Sequence, residues 1–140
     1  MSDDADIAGG EDVIDALLRA SAAMLALVPA SQMAIGRLRD GTPLDTILIR
    51  TISGVDQHIL DDGDGIRRRE RIEVSIRAET HRRRKRLRRL VQQVCNDAAG
   101  TIAGLHNVVV MTAGSGPDLI GPGDTFDGGE DFAVEFEKPA

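Results

Sequence analysis

At 140 residues the chain fits one compact domain large enough to bury a core without a cofactor or disulfide. It has no Trp and no Tyr, its only rings being Phe126, Phe132 and Phe136, so the core must be aliphatic, and the single cysteine, Cys95, excludes an internal disulfide or multi-cysteine zinc site. The net charge of −6 hides a segregation: 4 bases and 12 acids over 1–66, 12 and 3 over 67–89, and 1 and 8 over 90–140.

In chain order, residues 1–9 are small, polar and acidic and read as a flexible N-terminal tail, with 10–138 as a single domain. No apolar run suits a signal peptide or a membrane span, so a soluble chain made in the cytosol is expected. Val13, Ile14, Leu17, Leu18, Met24, Leu25 and Val28 recur at helical spacing, with Ser21 on the same stripe, predicting one helix from Gly10 to Val28 that Pro29 ends. Glu11 and Asp12 suit its first turn.

Met33–Leu38 reads as a brief strand and Leu44–Ser53, β-branched and bounded by Gly41-Thr-Pro43 and Gly54, as a longer one. Residues 55–68 read as a loop. In Arg69–Thr80 the alternation puts Ile72, Val74, Ile76 and Ala78 on one face and Arg71, Glu73, Ser75, Arg77 and Glu79 on the other, a strand with one wet side. Leu87, Leu90, Val91, Val94, Cys95 and Ala98 then form one helical stripe across 81–99, with Gly100 as its stop. Leu105–Ala113 reads as a strand, 114–129 as a Gly/Pro/Asp loop, and Asp131–Lys138 as a last strand with Phe132, Val134 and Phe136 inward. The sum is an α+β fold: an antiparallel sheet of four to five strands with two amphipathic helices packed on one face.

The signals for chemistry are weak. Asp61-Asp62-Gly63-Asp64-Gly65 fails the EF-hand pattern, which would place Leu60 at the first ligand position and Arg71 at the twelfth, so it reads as a turn. The glycine-rich 114–123 lacks the Lys and Ser/Thr of a phosphate loop. His58, His81 and His106 are dispersed, and Cys95 lies on an apolar stripe as a buried thiol would. The expectation is no enzyme, no cofactor and no metal.

The loudest feature is the arginine run: Arg67, Arg68 and Arg69, then Arg82, Arg83, Arg84, Lys85, Arg86, Arg88 and Arg89 at the start of a helix. Cations there oppose the helix dipole by a few tenths of a kcal/mol each. A solvated face, ion pairs to partner subunits, and phosphate binding all fit it, although aromatic platforms for bases are missing.

VIDALLRASAAMLALV, a short strand, LDTILIRTISGVDQHILDDGDGIRRRERIEVSIRAET, a helix and a late strand pair together resemble the tail completion, or tail terminator, proteins of siphophages and related gene-transfer particles, over roughly residues 11–137. The resemblance implies a homo-oligomeric ring, typically sixfold, that caps the tail tube, ends its polymerisation and joins it to the head connector. Its partners would be the tube protein and a head completion protein, with DNA passing through unbound and no membrane involved. Subunits would meet through sheet edges and arms. The assembly interface is expected at Asp56, Gln57, His58, Asp61 and Asp62, at Arg67, Arg68 and Arg69, and at Arg82, Arg83 and Arg86. Strong phosphate attraction in the opening would impede DNA passage, so most of the arginines should face protein. The alternatives are a basic-patch nucleic-acid-binding module, and another head–tail connector or tail-tube component.

Overall fold

The structure, a computed structural model, describes residues 7–58 and 66–138. The acidic residues 1–6 and the 59–65 segment with Asp61 and Asp62 lie outside the described residues.

Helix α1 spans Gly10–Arg19 and α2 spans Ala22–Leu27. The single helix expected over 10–28 is thus two. Ser21 is not part of the stripe but the N-cap of α2: its backbone is extended and its hydroxyl accepts from the Met24 N–H at 3.2 Å. Serine is among the strongest N-cap residues, and this local bond outweighed the continuing apolar period.

The strands are β1 (Met33–Ile35), β2 (Thr46–His58), β3 (Ile66–Ala78), β4 (Ala99–Ile102), β5 (Leu105–Ser115), β6 (Leu119–Ile120) and β7 (Phe126–Glu137). They form one sheet in the order β1-β2-β3-β7-β5-β4, with β6 paired to β7. This corrects the expected four to five strands to seven among the described residues. It also corrects the purely antiparallel reading, because β1 runs parallel to β2.

Two expected loops are partly strand. The 55–68 segment carries the ends of a long hairpin, with Val55 opposite Arg69, Asp56 opposite Arg68 and Gln57 opposite Arg67. Its Asp and Gly content suggested a loop, but pairing along β3 overrides that local preference. Residues 114–129 hold the end of β5, all of β6 and the start of β7.

The third helix, α3, covers His81–Cys95, capped by the Thr80 hydroxyl, which accepts from the Arg83 N–H at 3.1 Å. It ends at Asn96, whose backbone is already extended, and not at Gly100, which lies inside β4 with φ of 116°.

All three helices cover one face of the sheet. Between them lies the core: Val13, Ile14 and Leu18 of α1 and Leu87, Val91 and Cys95 of α3 meet Ile47, Ile49, Ile72, Val74, Ile76, Val110, Phe132, Val134 and Phe136 from the strands. The alternations read in β3 and β7 are realised, their inward residues being fully buried. Each such aliphatic or phenyl side chain contributes about 1.5–3 kcal/mol by leaving water.

Candidate assembly surface

The arginine-rich segment 67–89 is divided by the fold into cations that pair within this protomer and cations that have no partner among the described residues. On the outer face of the sheet, away from the helices, β3 offers bases to the acids of β7. Arg77 lies directly opposite Asp127, with Nη2 3.1 Å from its carboxylate. Arg71 reaches diagonally to Asp131 at 2.8 Å, and Arg67 to Glu135 at 3.4 Å. On the inner side near the hairpin end, Arg68 bridges Asp56 at 2.9 Å and Glu70 at 2.8 Å. Lys138 also reaches Asp56, and these two cations hold the Asp56 carboxyl below the usual carboxylate range. Glu70 is buried, where its Oε1 accepts from the Gly10 N–H at 2.6 Å and so fixes the start of α1.

Helix α3 is two-sided. On one flank Arg84, only 5% exposed, donates to the carbonyls of Leu119 and Asp127 at 3.0 and 3.1 Å and lies over the Phe126 ring, 5.4 Å from its centre. One turn on, Arg88 donates to Glu130 and to the Gly129 carbonyl. Both arginines also contact Asp118. This flank clamps the 116–130 chain against the helix.

On the other flank, Arg82, Lys85, Arg86 and Arg89 form no ion pair or side-chain hydrogen bond among the described residues. They border a groove of about 750 Å³ against α2, floored by Ala23, Leu27 and Leu90. Four adjacent cations on the N-terminal two-thirds of a helix repel one another and oppose its dipole. An anionic surface brought against them would relieve both costs.

The residues singled out in sequence fall in two places. Asp56 and Gln57 of β2 and Arg67, Arg68 and Arg69 of β3 come together across the hairpin, with His58 opposite Ile66 in register. Arg82, Arg83 and Arg86 sit at the other end of β3, roughly 30 Å away along an extended strand. Arg83 differs from its neighbours, because it pairs with the buried Asp45 at 3.0 Å and with Glu79 at 3.3 Å. Sequence reasoning missed Glu70, Arg84, Arg88 and Glu130 as structural charges. The signal was parity: Glu70 and Glu130 stand two residues before the inward Ile72 and Phe132.

Exposed apolar side chains complete the surface. Ile52 marks a bulge in β2 and Val55 follows it on the outer face. Val55, Arg69, Glu135 and Val109 line up in one row across four strands. Ser53, Arg71, Ala133 and Met111 form the next row, and a groove of about 310 Å³ runs through the two. Beyond Ile49, where the pairing with β1 ends, the edge of β2 from Arg50 to His58 has no neighbouring strand among the described residues.

Burial pushes the Cys95 thiol up to about 12, so it carries no nucleophile at neutral pH. Among the described residues no three His, Cys, Asp or Glu side chains converge as a metal site, and no helix is long and apolar enough to cross a membrane.

Among the described residues, then, the sheet carries an open edge and α3 carries cations with no partner. The model of the family described as tail completion protein gp17 matches residues 12–132. The chain belongs to that family, and is a structural virion protein of phage tails rather than a member of an enzyme family. Among solved structures, a chain of the virion of a native gene transfer agent (GTA) particle is similar, with a TM-score of 0.71 at 15% identity over 94% of this chain and 97% of that one. At that identity the likeness shows a shared fold. Individually curated proteins give no match.

Proposed function

We propose that the protein, with residues 10–138 as its working domain, caps the phage tail tube as a ring, ends tube polymerisation and joins the tube to the head connector. The observation that carries this reading is the open edge of β2 from Arg50 to His58, with Ile52 and Val55 exposed beside it. An unpaired strand edge is a template for another chain's strand, and soluble proteins normally cover it, shorten it or charge it. This one is nine residues long, enough to accept a strand from a neighbour or from the tube. A sixfold ring is the arrangement the family resemblance implies. Copies joined head-to-tail close into such a ring when the rotation between them fits.

Asp56, Gln57, His58, Arg67, Arg68 and Arg69 lie on this hairpin and would form its contact with the tube or a neighbour, together with Asp61 and Asp62. DNA would pass through the opening without specific binding. The nucleic-acid module is the weaker reading: Phe132 and Phe136 are buried and Phe126 lies under Arg84, so no ring is offered to a base.

The test is particle morphology. Deleting the gene should give tails of uncontrolled length that do not join heads. Val55→Lys, which sets a charge in the exposed apolar row beside the open edge, should reproduce that phenotype while the purified chain stays folded. Normal, head-bearing particles in both cases would refute the capping role. A salt series on DNA binding covers the competing reading, which requires affinity to fall steeply with salt.

A further inference from the structure

The two flanks of α3 differ in what they leave exposed. Against the Arg84–Arg88 flank lies the 116–130 chain, and its β6 tip presents two adjacent apolar side chains, Leu119 at 56% and Ile120 at 64% exposure. Asp124, four residues after Ile120, forms no ion pair or side-chain hydrogen bond among the described residues. On the opposite flank is the groove between α2 and α3, with an apolar floor of Ala23, Leu27 and Leu90 and a rim of Arg82, Arg86 and Arg89.

We infer that the β6 tip of one copy docks in the α2–α3 groove of a second copy, Ile120 against the apolar floor and Asp124 against the arginine rim. The inference rests on the ring reading and names the surfaces that build the ring. Three observations select a second copy as the occupant. The tip is apolar with an acid beside it, and the groove is apolar with bases beside it, so the two match in both respects. Both features are exposed on the same protomer. They stand on opposite flanks of one helix, so a protomer cannot satisfy itself rigidly, and each copy passes the same contact to the next. Such a heterologous contact is the kind that closes into a ring. It also brings a carboxylate, that of Asp124, to the cations of α3 that have no partner among the described residues.

The experiment uses cysteine pairs in assembled tails. Ile120→Cys and Ala23→Cys go into one chain and a short bis-maleimide is added to purified particles, the native Cys95 being fully buried and inert. The expected result is a ladder of covalent multimers up to the ring number. Particles mixed from the two single-cysteine chains should give dimers only. A charge swap adds an independent readout. Asp124→Arg and Arg86→Glu should each cut the fraction of capped tails at least tenfold, and the two together in one chain should restore it. Multi-copy rings on tails with no ladder, or a double-cysteine chain that closes on itself and runs as a monomer, would overturn this contact while leaving the ring reading standing. Tails bearing a single copy would overturn the ring reading and the contact with it.

Discussion

Arg88 of α3 donates from Nε to Glu130 of β7 at 2.7 Å, in a pair whose side chains are only 12% and 2% exposed. Glu130 also accepts from Gln92 and from the Ser115 hydroxyl at 2.7 Å, so its charge is buried but fully partnered. The pair anchors the clamp that places the β6 tip.

Removing one member of this pair strands the other charge in the core. Arg88→Ala is therefore expected to destabilise the chain by about 3–5 kcal/mol. Arg88→Met with Glu130→Leu, which removes both charges and keeps the volume, should cost far less. Denaturant unfolding of the three chains measures this. Equal losses for the single and double variants would mean that the pair has no mutual dependence.

Neighbouring arginines on α3 should separate by whether they are used within the protomer. Arg83→Glu sets a carboxylate beside the buried Asp45 and should cost about 1–3 kcal/mol. Arg82→Glu and Arg86→Glu should stay within about 0.5 kcal/mol of wild type, since acids suit a helix N-terminal half. Thermal melts of the purified variants give the stability, and the fraction of capped tails gives the function. A capping defect in the Arg82 and Arg86 variants at unchanged stability marks them as contact residues.

Acid should loosen the hairpin end. The Asp56 carboxyl is depressed by its hydrogen bonds from Lys138 and Arg68. A depressed carboxylate contributes stability above its unfolded value, near 3.9, and loses it as pH falls through the lower folded value. Asp56→Asn should therefore melt below wild type at neutral pH, and the gap should narrow as pH drops below about 4. Melts from pH 7 to 2 check this; a gap that widens in acid would contradict the assigned cause.

Cys95 should behave as a buried apolar group. With its thiol raised to about 12, it contributes stability that is complete below the unfolded thiol's value near 8.5 and is lost as pH rises towards the folded value. Folded protein should react with a thiol reagent only through unfolding. Cys95→Ser, which buries a hydroxyl without an assigned partner, should cost about 1–3 kcal/mol. Fast labelling of native protein at pH 8 would show an accessible thiol instead.

Much of the fold was legible before the structure. Alternation named the inward faces of β3 and β7, and the helical stripe gave α3 but ran about one turn past its end, because both periods follow from where successive side chains point. The break at Ser21 was less legible, since a capping serine and a serine on a helix stripe look alike until the backbone is known. The hairpin to His58 was hidden for a different reason: its residues are polar, and only pairing with β3 makes them strand.

The same division runs through the candidate surface. By itself the sequence determined that positive charge is concentrated between Arg67 and Arg89, that the core is mainly aliphatic, with Phe132 and Phe136 its buried rings, and that the family is one of tail completion. Only the tertiary structure decided which of those cations are used up within the protomer, as Arg68, Arg83, Arg84 and Arg88 are, and which have no partner among the described residues, as Arg82, Arg86 and Arg89 have none. The physical reason is that a charge is neutralised by what lies within a few ångströms, and the carboxylates that do so here include Asp45, Glu70, Asp118 and Glu130, three of them more than thirty residues away along the chain.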